Sequence, residues 1–174
     1  HRREHTIEFQ ALFVRYLFGE ETKIAPLLSS YTPLHLAPEE SDEAAVEARE
    51  RIQRTIDAIR TLVERRPGRV LLVASADLSH VGPRYGDRAA PSHRERDLLE
   101  ASDRALIGSI LSADADALSS RITATGDRTR VCGYPPVHLL LSVLGGGRGA
   151  LVRYEQAVMG EEGSVVSFAS IVLT

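Results

Sequence analysis

The feature that most constrains this chain is the run of residues 70–76 (VLLVASA), followed at once by Asp77-Leu78-Ser79-His80. A strand with one wet face alternates polar and apolar residues. A short run without alternation is the pattern of a strand covered on both faces, as in parallel sheets. The run follows a long helical pattern and the break Pro67-Gly68. It therefore predicts a central parallel strand of an α/β fold. Polar side chains just past the carboxyl end of such a strand stand where α/β sheets gather their sites.

The flanking patterns agree with that class. Ile7, Ala11, Val14 and Phe18 fall at helical spacing and predict an amphipathic helix over 6–18, ended by Gly19. Residues 23–29 (KIAPLLS) predict a short strand, placed at an edge by Pro26. After a loop with Pro33 and Pro38, Ser41-Asp42-Glu43 opens a helix with the stripe Val46, Ile52, Ile56, Ile59 and Val63. Residues 81–92 predict a loop, and 93–112 a helix carrying Leu98, Leu99, Ala105, Leu106 and Ile110. A short helix is expected over 114–122. Another carries Val137, Leu140, Leu141 and Leu144 and closes on Gly145-Gly146-Gly147. Two β-rich stretches, 150–158 and 164–173, flank the turn Gly160-Glu161-Glu162-Gly163 and predict a hairpin. Strands separated by helices give an α/β layered fold, a mixed sheet flanked by helices, as one domain over 1–174.

Composition removes several function classes. The 21 basic and 24 acidic residues are interspersed and leave a formal charge of −3, so no basic face for a phosphate backbone is expected. No apolar run reaches the roughly 18 residues of a membrane span. Cys132 is the single cysteine, which excludes a disulfide framework and an all-cysteine zinc site and fits a reducing cytoplasm. The N-terminus carries no cleavable apolar stretch, so no signal peptide is expected. Lys23 is the single lysine among the basic residues, and alanine is abundant, a bias expected of GC-rich bacterial coding. The chain opens on His1 rather than Met, as a fragment or a processed product would.

Three segments could carry chemistry. His5, in Glu4-His5-Thr6-Ile7-Glu8, lies at the start of the first helix, where the macrodipole disfavours imidazolium and leaves a neutral imidazole suited to a metal. From composition alone it reads more readily as a surface residue of a frayed terminus. Asp77 and His80, three residues apart after the apolar run, could act as base and orienter or as ligand and outer partner; a polar turn is the alternative. Cys132 precedes Gly133-Tyr134-Pro135-Pro136 at a helix start. That position is expected to lower the thiol pKa and make a nucleophile or a soft ligand; an inert buried cysteine is the alternative. His35, His93 and His138 read as structural or exposed, and 145–147 lacks the Lys-Ser/Thr of a phosphate loop.

Taken together, these segments resemble the Memo family, called AmmeMemoRadiSam system protein B in prokaryotes. Glu4-His5-Thr6-Ile7-Glu8 is similar to its E-H-S-I-E. Ser75-Ala76-Asp77-Leu78-Ser79-His80-Val81-Gly82 is similar to S-S-D-F-S-H-x-G, and Cys132-Gly133 to the start of C-G-R-x-P-I. Tyr154 and Val165-Val166-Ser167-Phe168-Ala169 resemble Y-x-x-S and V-S-Y-A. Order and spacing agree over nearly the whole chain. Tyr134 stands where the family has Arg, and Ala76 replaces a Ser.

The resemblance implies a fold like that of the class III extradiol dioxygenases of the LigB type. It also implies that this chain is the C-terminal two-thirds of the family's length, without the first strands and without the H-x-G-Y motif that carries another histidine. The resemblance makes His5 and Cys132 metal ligands and sets Asp77 and His80 beside them as proton relay or catalytic pair. A thiolate makes the set softer than a 2-His-1-carboxylate site, so iron or copper is expected, and zinc also fits. The expected function is a metal-binding protein with a redox or undefined role. Alternatives are an extradiol-type dioxygenase, a cysteine hydrolase using Cys132 and His80, and a metal-free scaffold. The family name implies a radical-SAM protein and an AMMECR-type protein as partners.

Overall fold

A computed structural model describes residues 6–36 and 43–174. His5 and the helix-start residues Ser41 and Asp42 lie outside the described residues. Helix α1 spans Thr6–Phe18, α2 Glu43–Arg65, α3 His93–Leu111, α4 Ala115–Thr125 and α5 Tyr134–Leu144; short 3-10 turns cover Pro33–Leu36 and Pro83–Tyr85. Strand β1 is the two-residue His80–Val81, β2 is Gly149–Met159 and β3 is Ser164–Leu173. The α/β class holds, with five helices and one sheet among the described residues.

That sheet is antiparallel throughout, in the order β1-β3-β2. The expected hairpin is β2–β3, with Ala157 opposite Val166 and an irregularity between Leu151 and Arg153. β1 adds to β3 by pairing His80 with Val166 and Val81 with Val165. The expected central parallel strand is corrected here. Residues 70–76 form no ladder with any strand among the described residues, and Leu71 and Val73 are 66% and 51% exposed. Residues 23–29 likewise form no strand, and Ile24, Leu27 and Leu28 are exposed. A strand exists only as part of a sheet, and β pairing along this segment begins at its end. The Leu78 amide donates to Ser167 O at 2.8 Å, and the Ser167 amide donates to Ser79 O at 2.9 Å.

The helices form for the reasons their sequences suggest. Ser92 caps α3 by accepting from the Glu95 amide, while the Glu95 side chain accepts from the Ser92 amide, a closed capping box. Asp114 caps α4 by accepting from the Ala117 amide, without a returning side-chain bond. α5 begins at Tyr134-Pro135 and stops at Gly145, which takes a left-handed conformation. The core joins Leu106, Ile107 and Ile110 of α3, Leu118 and Ile122 of α4, Tyr134 and Leu141 of α5, and Leu78 and Val131 from the loops. Leu98 and Ala105 of α3 face outward instead, and Asp103 takes a fully buried place on the stripe. His138 is buried in α5, one turn beyond Tyr134. No helix among the described residues is long and apolar enough to cross a membrane.

Candidate metal centre

Two loops build the centre. The first runs from the apolar segment into β1 and carries Asp77 and His80. The second is the turn of residues 127–133, which leads into α5 and carries Cys132. The turn is wound tightly: Asp127 and Arg130 take positive φ of 49° and 54°. The Arg130 amide donates to Asp127 O at 2.9 Å, and the Val131 amide to Asp127 Oδ1 at 2.8 Å. Positive φ in residues with a Cβ is uncommon and persists where surrounding structure enforces it.

The enforcing contacts are visible. Arg130 donates to His80 O at 3.0 Å and to Asp87 Oδ1 at 2.5 Å, while Asp87 Oδ2 accepts from the Gly82 amide at 2.7 Å. The side-chain bonds from Arg130, followed by that from Gly82, hold the Asp87 carboxyl below the usual carboxylate range. The pair sits at the surface, so its value is positional more than energetic. Gly133 is required by closeness: a Cβ there would collide with the Asp77 carbonyl oxygen. Gly82, at φ 110°, faces Ser164 with a Cβ-to-Cα distance of 2.7 Å, so no side chain fits.

These contacts bring Asp77, His80 and Cys132 together, with one ligand atom from each lying within 4.8 Å of the others. His80 Nδ1 lies 3.1 Å from Arg130 O and 3.2 Å from Leu78 O. Both are acceptors only, so Nδ1 carries the proton and the Nε2 lone pair is left for a ligand. Nε2 is 3.9 Å from Asp77 Oδ2, beyond a direct hydrogen bond. The Cys132 thiol donates weakly to Asp77 O at 3.8 Å.

The expected lowering of the Cys132 pKa is corrected. The residue presents surface to solvent, yet protein packed around the sulfur pushes the thiol up, and the nearby carboxylates of Asp77 and Asp127 push the same way. The hydrogen bond to Asp77 O opposes them and does not win. Cys132 precedes the helix rather than entering it, and the helix-terminal field is outweighed. A raised thiol is a poor nucleophile at neutral pH, which counts against the hydrolase alternative.

A small cavity of about 270 Å³ opens beside Cys132, walled by Tyr31, Pro33, Val131, Tyr134 and Pro135. Tyr31 closes one side, with its hydroxyl donating to Pro135 O at 3.0 Å and lying 2.9 Å from His138 Nδ1. Burial pushes the Tyr134 phenol up to about 12 and lowers the His138 pKa. A larger hollow of about 990 Å³ lies beyond the 127–130 turn, between that turn and α3, and is lined by none of the three candidate donors.

The donor set suits a metal ion on chemical grounds. Sulfur, imidazole nitrogen and carboxylate oxygen are the ligand types of zinc and of redox-active transition metals. Donors bound at about 2.0–2.3 Å stand about 3.5 Å apart, so a contraction of about 1 Å would close the set. Sequence reasoning named all three of these residues, Cys132 as a metal ligand and Asp77 and His80 beside it as a proton relay or catalytic pair. It missed Arg130, Asp87 and Asp103; the last could have been found as the one carboxylate on the apolar stripe Leu99-Asp103-Leu106-Ile110.

Comparison with known proteins finds similarity over nearly the whole chain. A family described as Memo-like protein matches residues 1–172. A MEMO1 family protein of Methanosarcina mazei is 27% identical over 99% of this chain and 56% of its own length. Similar proteins of Methanococcoides burtonii and Aquifex aeolicus are 29% and 28% identical over 99% of this chain, covering 56% and 41% of their own lengths. The chain spans about half the length of the curated relatives it matches.

Proposed function

The chain belongs to the Memo family, and from that premise we propose that it is a metal-binding protein whose ion is held by Cys132 and His80 with Asp77 beside them. The observation that carries this reading is the convergence of three unlike donor atoms within 4.8 Å from two separate loops. His5, outside the described residues, is proposed as a further donor on the strength of its E-H-T-I-E segment.

Each residue has a distinct part. Cys132 must surrender its proton to bind, and burial and Asp77 hold that proton on, so binding releases a proton and strengthens with pH. His80 presents Nε2 because its Nδ1–H is engaged by backbone carbonyls. Asp77, exposed and 3.9 Å from Nε2, can complete the set or take a proton leaving the site. The thiolate makes iron, copper or zinc the fitting ions and disfavours magnesium or calcium. Iron or copper bound there would supply one-electron chemistry, and we propose a redox role in a reducing cytoplasm. Partnership with a radical-SAM protein and an AMMECR-type protein is proposed with it; failure of both to co-purify with this chain would remove that part.

Cobalt(II) titration of metal-free protein tests the site. A thiolate-to-cobalt band in the near ultraviolet is expected at about one ion per chain. It should be absent from Cys132→Ser and weakened in His80→Ala. Saturable binding without that band would overturn the assignment of Cys132.

A further inference from the structure

Asp103 is the most deeply buried carboxyl group among the described residues, at 0% exposure, and the site's donor set does not use it. It occupies a core-facing position of α3 between Leu99 and Ile107, where an apolar residue would pack without cost. Both its oxygens accept from hydroxyl groups. Ser79 Oγ donates to Oδ1 at 2.6 Å and the Tyr154 hydroxyl to Oδ2 at 2.8 Å.

Ser79 is the residue before His80, and it is gripped on every polar atom. Its amide donates to Ser167 Oγ at 2.9 Å, and its carbonyl accepts from the Ser167 amide at 2.9 Å. Its hydroxyl also lies 2.9 Å from Thr129 Oγ1. Thr129 belongs to the turn that carries Cys132, and its carbonyl accepts from the His80 amide at 2.6 Å. One buried carboxyl group therefore meets, through a single serine hydroxyl, both of the loops that bring donors to the centre.

We propose that Asp103 is a positioning residue: through Ser79 it fixes the His80-bearing loop against the Cys132-bearing turn and so sets the spacing of the three donor atoms. Tyr154 holds the far oxygen of Asp103 and belongs to the support of the sheet, with Gln156 donating to its hydroxyl at 3.1 Å. The affinity readout below rests on the metal-binding reading; the exchange readout does not.

The experiment compares Asp103→Asn, Ser79→Ala, the double variant and Tyr154→Phe. In metal-free protein, hydrogen exchange at the His80 amide is read by NMR. It should be about tenfold faster or more in Asp103→Asn and Ser79→Ala and unchanged in Tyr154→Phe. Cobalt(II) affinity should fall about 10–100-fold in the same two variants. The double variant should lose no more than Ser79→Ala alone, because both changes cut one link. Thermal melting follows all four, so that a general loss of stability, which would move Tyr154→Phe as well, is separated from loss of position. Unchanged His80 exchange in Asp103→Asn overturns the proposal. So does additive loss in the double variant. If the wild type binds no cobalt while the exchange pattern appears, the metal reading fails and the positioning role stands.

Discussion

At the residue scale, the chemistry of the centre turns on one thiol and one glycine. Packing around the Cys132 sulfur and the carboxylates beside it hold its proton on. The folded pKa lies above the ordinary thiol value, so thiolate accumulates only at higher pH than in a free cysteine. Iodoacetamide should therefore label Cys132 of metal-free protein slowly at pH 7, at a rate that climbs through the alkaline range. Addition of a fitting metal should protect it. Fast labelling at pH 7 would contradict the raised thiol. Gly133 touches the Asp77 carbonyl with no room for a methyl group. Gly133→Ala is expected to cost about 1–3 kcal/mol in chemical denaturation and to separate Cys132 from Asp77. The sequence already marked this pair of positions: a cysteine next to a glycine at a helix start, and polar residues after an apolar run. It did not reveal the sign of the thiol shift, because that depends first on how the fold packs protein around the sulfur, and then on Asp77 being brought in from the other loop and Asp127 from the start of the same turn.

At the element scale, periodicity was a good guide to helices and a poor one to strands. The spacing predicted all five helices, and α3 carries the capping box that Ser92 and Glu95 announce. Ser92→Ala should lower stability by about 1 kcal/mol in denaturation. The hairpin β2–β3 was legible from its turn, Gly160 to Gly163. Residues 70–76 were not, because an unalternating apolar run records a buried strand only when neighbours exist on both sides. The 82–87 loop gives a pH test. Asp87 has its folded pKa below the unfolded value, so its contribution is full at neutral pH and lost as pH falls through that lowered pKa. Asp87→Asn should remove that part of the acid limb, about 1 kcal/mol or less for so exposed a pair. It should also loosen Arg130, seen as faster exchange at the Gly82 amide. An unchanged acid limb and unchanged Gly82 exchange would contradict the role given to the pair.

At the scale of the whole molecule, the well-packed region and the apolar surface are distinct. Helices α3, α4 and α5 pack together, α3 also against the β2–β3 hairpin, and the candidate centre lies at the edge of this body. Phe9, Leu12, Phe13 and Leu17 of α1, Leu27 and Leu28, and Leu71 and Val73 stay exposed. Hydrogen exchange over the whole chain should show β2 and β3 strongly protected and residues 70–76 fast; protection of 70–76 equal to that of β3 would contradict the sheet described. The α/β class could be read from local pattern, which also marked Asp77, His80 and Cys132, three residues that lie together among the described residues. The buried link from Asp103 through Ser79 to Thr129 could not, because it joins residues 24 and 50 positions apart. The central claim is that Cys132 and His80 hold an ion between the two loops. Metal content by mass spectrometry of anaerobically purified protein tests it most directly, on wild type beside Cys132→Ala, His80→Ala and His5→Ala. The account predicts about one transition-metal ion per wild-type chain, lost in Cys132→Ala and His80→Ala, with His5→Ala showing whether that residue adds a donor. An ion retained in both of the first two variants, or none in the wild type after loading with iron, copper or zinc, would contradict it.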